Sequence, residues 1–332
     1  MTPSDPSAAR RTPPAGFRNR VLACLVVGVL LVGLTVSWAL TRRTPMPVID
    51  PTVRLDEPGM VLRDTTTGRL SVQRSSGRAQ SALSCARVYV AAGTGVCLRR
   101  NPDRPGTYEV AILDTALRVL RRAPLAGIPT RARLSASGRM AAWTVFVSGD
   151  SYASSSFSTR SSVWDLRTGK RVATLEDFAV AGTRPPRDAN FWGVSFAADD
   201  DTFYATMSTG TGARQRFHLV RGSVRARSVR VVADGVECPS VSPDGTRVVY
   251  KSRQPDLTWR LEVMDLRSSA RTRLAEAGNV DDQAVWMDDG TVGYGKVDEL
   301  NGRVSVWSVP ADGTGTPTLV ADGAESPSTS RS

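Results

Sequence analysis

The stretch PSVSPDGTRVVYKS, residues 239–252, reads as a strand, a tight turn and a second strand. Pro239 to Ser242 form a short opening strand. Pro243, Asp244 and Gly245 supply the turn: proline presets φ, aspartate bonds nearby backbone, and glycine accepts positive φ. TRVVYKS alternates and is β-branched, as a half-buried strand requires. QPDLT then turns, WRLEVMDL makes a third strand, RSSA turns, and RTRLAEA makes a fourth. Four antiparallel strands in about 45 residues form a meander too small to bury its faces alone, so it must stack on copies of itself.

The copies lie on both sides. QAVWMDDGTVGYGKV and GRVSVWSVPADGTGTPTLV follow, with Asp288, Asp289 and Gly290 at the turn position of Pro243, Asp244 and Gly245. WGVSFAADDDTFYATM with QRFHLVRGSVRARSVRVV precedes, and before it ARLSASGRMAAWTV with SSVWDLRTGKRVATL. Earlier still come CARVYVAAGTGVCLRR and YEVAILDTALRVLRR. The turn between third and fourth strands gives a ruler, marked at Asp64, Asp114, Asp165, Val220, Asp265 and Pro310, with steps of 50, 51, 55, 45 and 45 residues. Periods of about 40–50 residues mean propeller blades.

PSVSPDGTRVVY followed by LEVMDLRSSARTRL resembles the repeat of TolB-type β-propellers, relatives of the WD-repeat class. The resemblance covers most of residues 59–330, sharp in one repeat and loose in the others. It implies an all-β propeller of about six four-stranded blades. The first mark, MVLRDTTTGRLSVQ, lacks its own two opening strands, and the C-terminal ESPSTSRS resembles the start of one. The ring is therefore expected to close with both ends in the first blade, leaving no open edge; a five-blade or incomplete ring is the alternative.

Residues 21–40, VLACLVVGVLLVGLTVSWAL, are apolar and uncharged. About 20 such residues span a bilayer as a helix. Arg10, Arg11, Arg18 and Arg20 precede the run against one acid, Asp5, which favours a cytoplasmic N-terminus and an exported body. A secretory signal peptide is the rival, but its apolar core is shorter, and SWA at 37–39 is the sole weak cleavage candidate. The expected organisation is a disordered cytoplasmic tail over 1–20, a transmembrane signal anchor over 21–41, a linker over 42–58 and the propeller over 59–332.

The net charge of +11 tempts toward nucleic acid, yet the only lysines are Lys170, Lys251 and Lys296, and the arginines are scattered rather than clustered. No nucleic-acid partner is expected. In the densest basic run, RGSVRARSVR, Arg225 and Arg227 alternate at strand period, which predicts one face of an exposed strand. Cys85 and Cys97 flank two β-rich pieces with a Gly-Thr-Gly turn between them; a hairpin brings them together, and an oxidising exterior sustains a disulfide. Cys24 lies in the apolar run, and Cys238 is left over as a buried thiol.

Chemistry is hard to assemble from these residues. His218 is the only histidine and sits mid-strand in RFHLV, where packing or a cross-strand partner suits it better than catalysis or a metal. No G-x-S-x-G elbow, phosphate loop or dinucleotide fingerprint is present. The acidic runs at 198–202 and 287–291 stand where a turn belongs. No catalytic residue, cofactor or metal site is assigned. Asp281 and Asp282, with Asp188, Asn190 and Glu237, lie where one blade hands over to the next, and a polar binding rim around the channel is expected there. Trp143, Trp164, Trp192, Trp259, Trp286 and Trp307 are read as packing between blades. The expected role is that of a non-catalytic, membrane-anchored platform for a protein partner; a sensor that takes a small ligand or glycan at the channel mouth is the alternative, and a hydrolase or lyase is barely supported.

Overall fold

A computed structural model describes residues 17–41, 48–147, 158–172, 174–299 and 301–329. Residues 1–16 of the expected tail and 42–47 of the expected linker lie outside the described residues. The chain divides into two units, residues 1–48 and 49–332. Among its described residues the first holds a helix, α1, Phe17–Thr41, 25 residues long. Its side chains are described without a break only over 25–35, and among the described residues no helix is long and apolar enough to cross a membrane.

The second unit is all-β. Its strands are β1 Met60–Asp64, β2 Arg69–Arg74 and β3 Gly77–Ser84; β4 Arg87–Ala91, β5 Thr94–Arg100, β6 Tyr108–Leu113 and β7 Val119–Leu125; β8 Ile128–Leu134, β9 Met140–Val147, β10 Ser158–Asp165 and β11 Arg171–Val172. After a short strand β12, Ala179–Val180, come β13 Asn190–Phe196, β14 Thr202–Thr209, β15 Arg216–Ser223 and β16 Ser228–Asp234. The last are β17 Glu237–Val241, β18 Arg247–Arg253, β19 Trp259–Asp265 and β20 Arg271–Arg273, then β21 Val285–Trp286, β22 Thr291–Val297, β23 Val304–Pro310, β24 Thr318–Ala321 and β25 Ala324–Thr329. They form six sheets, five of four strands and one of five, in which β12 adds in parallel to β16. This is a six-bladed propeller, and residues 239–252 belong to its fifth blade.

The ruler works because its aspartates build the turns. Asp165 Oδ1 accepts from the backbone N–H of Arg167 (2.9 Å) and Thr168 (3.0 Å), and Asp265 Oδ1 from Arg267 (3.0 Å) and Ser268 (2.7 Å). A short carboxylate bonded to its own backbone two or three residues on is what a tight turn selects. Two marks need correction. Val220 lies inside β15, and the turn falls at 224–227, where Asp201 from the preceding hairpin accepts from Arg225 N–H (2.8 Å) and Ser223 Oγ (2.7 Å). That turn has no aspartate of its own and takes one from the first hairpin of the same blade. Arg225 and Arg227 therefore sit in a turn, not on a strand face.

The second correction concerns closure. Asp64 stands between the second and third strands of its blade, because the sheet order is β25-β1-β2-β3. The C-terminus supplies one strand, not two, and β25 pairs antiparallel with β1, Met60 opposite Thr329 and Asp64 opposite Ala324. Arg63 Nη1 and Arg87 Nη1 fasten the join on Glu325 Oε1 at 2.6 and 2.8 Å.

The core lies between blades: Leu98, Val110 and Leu125 of the second blade pack with Ala141, Trp143 and Trp164 of the third, where the two indoles meet edge to face at 6.3 Å between centroids. Phe178 meets Phe203 at 6.0 Å. Cys85 and Cys97 form a disulfide with Cα atoms 5.4 Å apart, both buried, while Cys238 is a buried free thiol.

Candidate functional site

In each blade the first-to-second and third-to-fourth turns share one face, here the hairpin face. The second-to-third turns and blade-to-blade connections share the other, the connector face. Strands β25, β4, β8, β13, β17 and β21 are the innermost of their blades and line the channel. At the connector face the channel opens into a cavity of about 360 Å³, lined by Arg87, Arg131, Glu237, Lys251, Asp281 and the rings of Phe146, Trp192 and Trp259.

Strand pairing sets the polar cluster. Glu237 opens β17 and lies directly opposite Lys251 in β18. Lys251 is only 4% exposed; its ammonium ion-pairs with Asp281 and stands 4.5 Å above the Trp259 ring. Trp259 Nε1 donates to Glu237 Oε1 at 3.0 Å. Asp281 also faces Arg131 Nη2 at 3.8 Å, and Arg131 Nη1 donates to the Thr130 carbonyl (2.9 Å). A lysine so deeply placed must keep its stem on apolar surface and its charge against a partner.

The two carboxyls are pushed apart. Burial dominates at Glu237 and raises it, with the Lys251 charge and the Trp259 hydrogen bond pulling the other way. At Asp281 burial also pushes upward, but the Lys251 ammonium and its hydrogen bond, then Arg131 and Arg87, outweigh it and hold the group below the usual carboxylate range. One mouth thus presents a reluctant carboxylate, a firm one, a buried lysine, two half-buried arginines and aromatic walls. That set can bind and orient a polar group. Neither histidine nor cysteine lines the cavity.

Of the five expected rim residues, two line this cavity, Glu237 and Asp281. Asn190 is adjacent: its Oδ1 accepts from Thr159 N–H at 2.8 Å, and Thr159 lines the cavity. Asp188 is a loop clamp, accepting Gly210 N–H at 2.7 Å. Asp282 Oδ2 accepts Gly295 N–H at 2.9 Å and faces a smaller void of about 30 Å³ shared with Arg131 and Arg133. Sequence reasoning missed the basic members Arg87, Arg131 and Lys251, and assigned Trp192 and Trp259 to packing alone. A signal existed for one of them: Lys251 and Lys296 recur at the same place in successive blades, each 4.5 Å over a tryptophan, Trp259 and Trp307.

His218 bonds across the strands, Nδ1 to Asp234 Oδ1 at 2.6 Å, as a strand histidine should. Asp199 caps its own turn through Asp201 N–H (3.0 Å) and Thr202 N–H (2.7 Å), and Asp200 accepts from Ser137 Oγ at 2.7 Å. Among the described residues no group of three or more His, Cys, Asp or Glu is placed to hold a metal.

The arrangement of blades can be compared with solved structures. TolB from Acinetobacter baumannii matches over 81% of this chain with a TM-score of 0.55 and 14% identity. The chain has a TolB-like six-bladed propeller fold. It spans 66% of that protein's length. A TolB-type protein from Agrobacterium tumefaciens matches 81% of this chain and 90% of its own, with a TM-score of 0.51 and 13% identity. A weaker likeness, to the β-propeller domain of the Trilobed protease from Pyrococcus furiosus, covers 71% of this chain and 70% of that one (TM-score 0.42, 13% identity) and decides nothing about activity. No known family profile matches the chain, and no curated protein matches its sequence.

Proposed function

We propose that this chain is a membrane-anchored, non-catalytic platform whose exported propeller binds a protein partner at the connector mouth. The observation that supports it is the company the mouth keeps. Ile128, Leu257 and Val297, 60%, 64% and 51% exposed, stand on the connector face, and Ile128 lines the charged cavity itself. Exposed apolar side chains on the same face as a polar, aromatic-walled centre suit a protein surface. Capture with the tagged full chain from envelope extracts tests it: one partner should be retained, and Ile128→Glu with Leu257→Glu should release it. Retention unaffected by both substitutions defeats the assignment to this face.

The anchor reading rests on the uncharged run 21–40 and its arginine-rich N-terminal flank. A helix the length of α1 would extend about 37 Å, enough for a bilayer core. Protease added outside intact cells should cut the propeller; protection until lysis defeats this topology.

A small-ligand or glycan sensor is the second reading, favoured by the tryptophans at the cavity wall. Saturable binding of a saccharide to the purified chain, with no partner captured, would decide for it.

A further inference from the structure

The opposite end of the channel holds a different feature. Arg133, in β8, is 3% exposed. Of its five N–H donors, one has an acceptor: Nη2 donates to the Ala284 carbonyl at 3.2 Å. Its Nε is buried with no hydrogen-bond partner, and no carboxylate among the described residues pairs with it. Asp282 shares the 30 Å³ void with Arg133 but makes no ion pair with it. The guanidinium stacks at 4.4 Å over the Tyr89 ring, which offsets part of the burial and leaves the charge uncompensated. An unpaired buried cation is costly, and its presence calls for an anion.

There is a place for one. On the hairpin face, a cavity of about 150 Å³ opens among the first-to-second turns, and among the described residues Arg133 is the one charged side chain that lines it. Phe196, Trp286, Val241 and Leu134 supply its apolar wall, and Ser240, Ser242 and Thr329 line it beside them. Ser195 also lines it; its Oγ accepts Val241 N–H at 3.0 Å, which leaves its hydroxyl proton free to donate. A guanidinium is a planar fork that matches the two oxygens of a carboxylate. A single such fork beside one apolar wall fits a monoanion carrying a compact apolar body better than a phosphate, which demands more positive charge.

We propose that the hairpin mouth of the channel binds a small apolar carboxylate, with Arg133 as its counter-charge and Ser195 as a second donor. The volume suits a single-ring acid, since a cavity of about 150 Å³ accommodates benzene. This site is separate from the connector mouth, on the other end of the channel, and does not depend on the partner proposed there.

The probes are benzoate, its neutral isostere benzamide, and chloride, each titrated calorimetrically and by thermal unfolding against the full chain. Benzoate should bind saturably and raise the unfolding midpoint; benzamide should be at least about tenfold weaker, because charged hydrogen bonds are lost. Arg133→Met should lose the benzoate response by about tenfold or more, while its ligand-free midpoint does not fall, because an uncompensated charge has been removed. If that variant does not fold, Arg133→Lys decides: it keeps the charge, loses the fork, and should bind more weakly than the parent. Benzoate binding no better than benzamide, equal competition by chloride, or undiminished binding by either variant overturns the proposal.

Discussion

At the scale of single residues, hydrogen bonds and burial fix what each carboxyl does. Asp244 of the turn accepts from Ser242 Oγ and from Thr246 N–H (3.0 Å), and these bonds lower it to about 2. It is a turn residue and nothing more. Glu237 is the reverse. Its folded pKa lies above the unfolded one, so its contribution to stability is fully present below the unfolded value and is lost as pH rises through the folded value. Glu237→Gln keeps the acceptor for Trp259 and removes the charge. The variant should unfold at or above the parent's midpoint at pH 7, with the advantage gone near the bottom of the carboxylate range. Thermal unfolding across that range checks this; a variant clearly less stable at pH 7 would show that the charged carboxylate is needed by the fold. Asp281 carries the opposite sign: its stabilisation exists above the unfolded carboxylate pKa and fades as pH falls through its lowered value.

At the scale of strands and turns, alternation, β-branching and Asp-Gly or Asp-x-x turns made the meander readable from residues 239–252 outward. What escaped was anything that one hairpin or connection borrows from another. The turn at 224–227 hides because its carboxylate, Asp201, comes from a different hairpin. The mouth cluster hides for the same reason: Lys251 and Asp281 are thirty positions apart and belong to the second strand of one blade and the connection to the next. No local pattern announces a pair of that kind. One glycine also has an inter-blade reason. Gly193 of β13 has φ +65°, and a Cβ there would meet Cys238 Cα, in the next blade, at 2.7 Å. Gly193→Ala should therefore cost roughly 2 kcal/mol or more from strain and forced separation of the two inner strands. Denaturant unfolding measures it, and a loss under about 0.5 kcal/mol, the usual range for a surface change, would contradict the close packing.

At the scale of the whole molecule, the ring is closed by a single strand. β25 covers the edge of β1, and Glu325 bridges Arg63 of the first blade and Arg87 of the second. Ending the chain at Asp322 uncovers that edge and strands both arginines, so unfolding should become easier by roughly 4 kcal/mol or more and the exposed edge should drive association. Sedimentation together with thermal unfolding would detect both, and an unchanged monomer would show that closure is dispensable. Closure also leaves the channel with two unlike mouths, which among the described residues are mixed in charge at the connector face and singly basic at the hairpin face. The shared fold carries no role by itself, so what this chain does rests on those mouths.

The central claim is that a protein docks at the connector mouth. Site-specific photo-crosslinking in intact cells tests it most directly, with a photoreactive residue placed at Ile128 beside the cavity and, as a control, at Val231 on the outer strand β16, which is 43% exposed. The account predicts one discrete protein adduct from position 128 and none from position 231. No protein adduct at 128, or the same adducts from both positions, would contradict it.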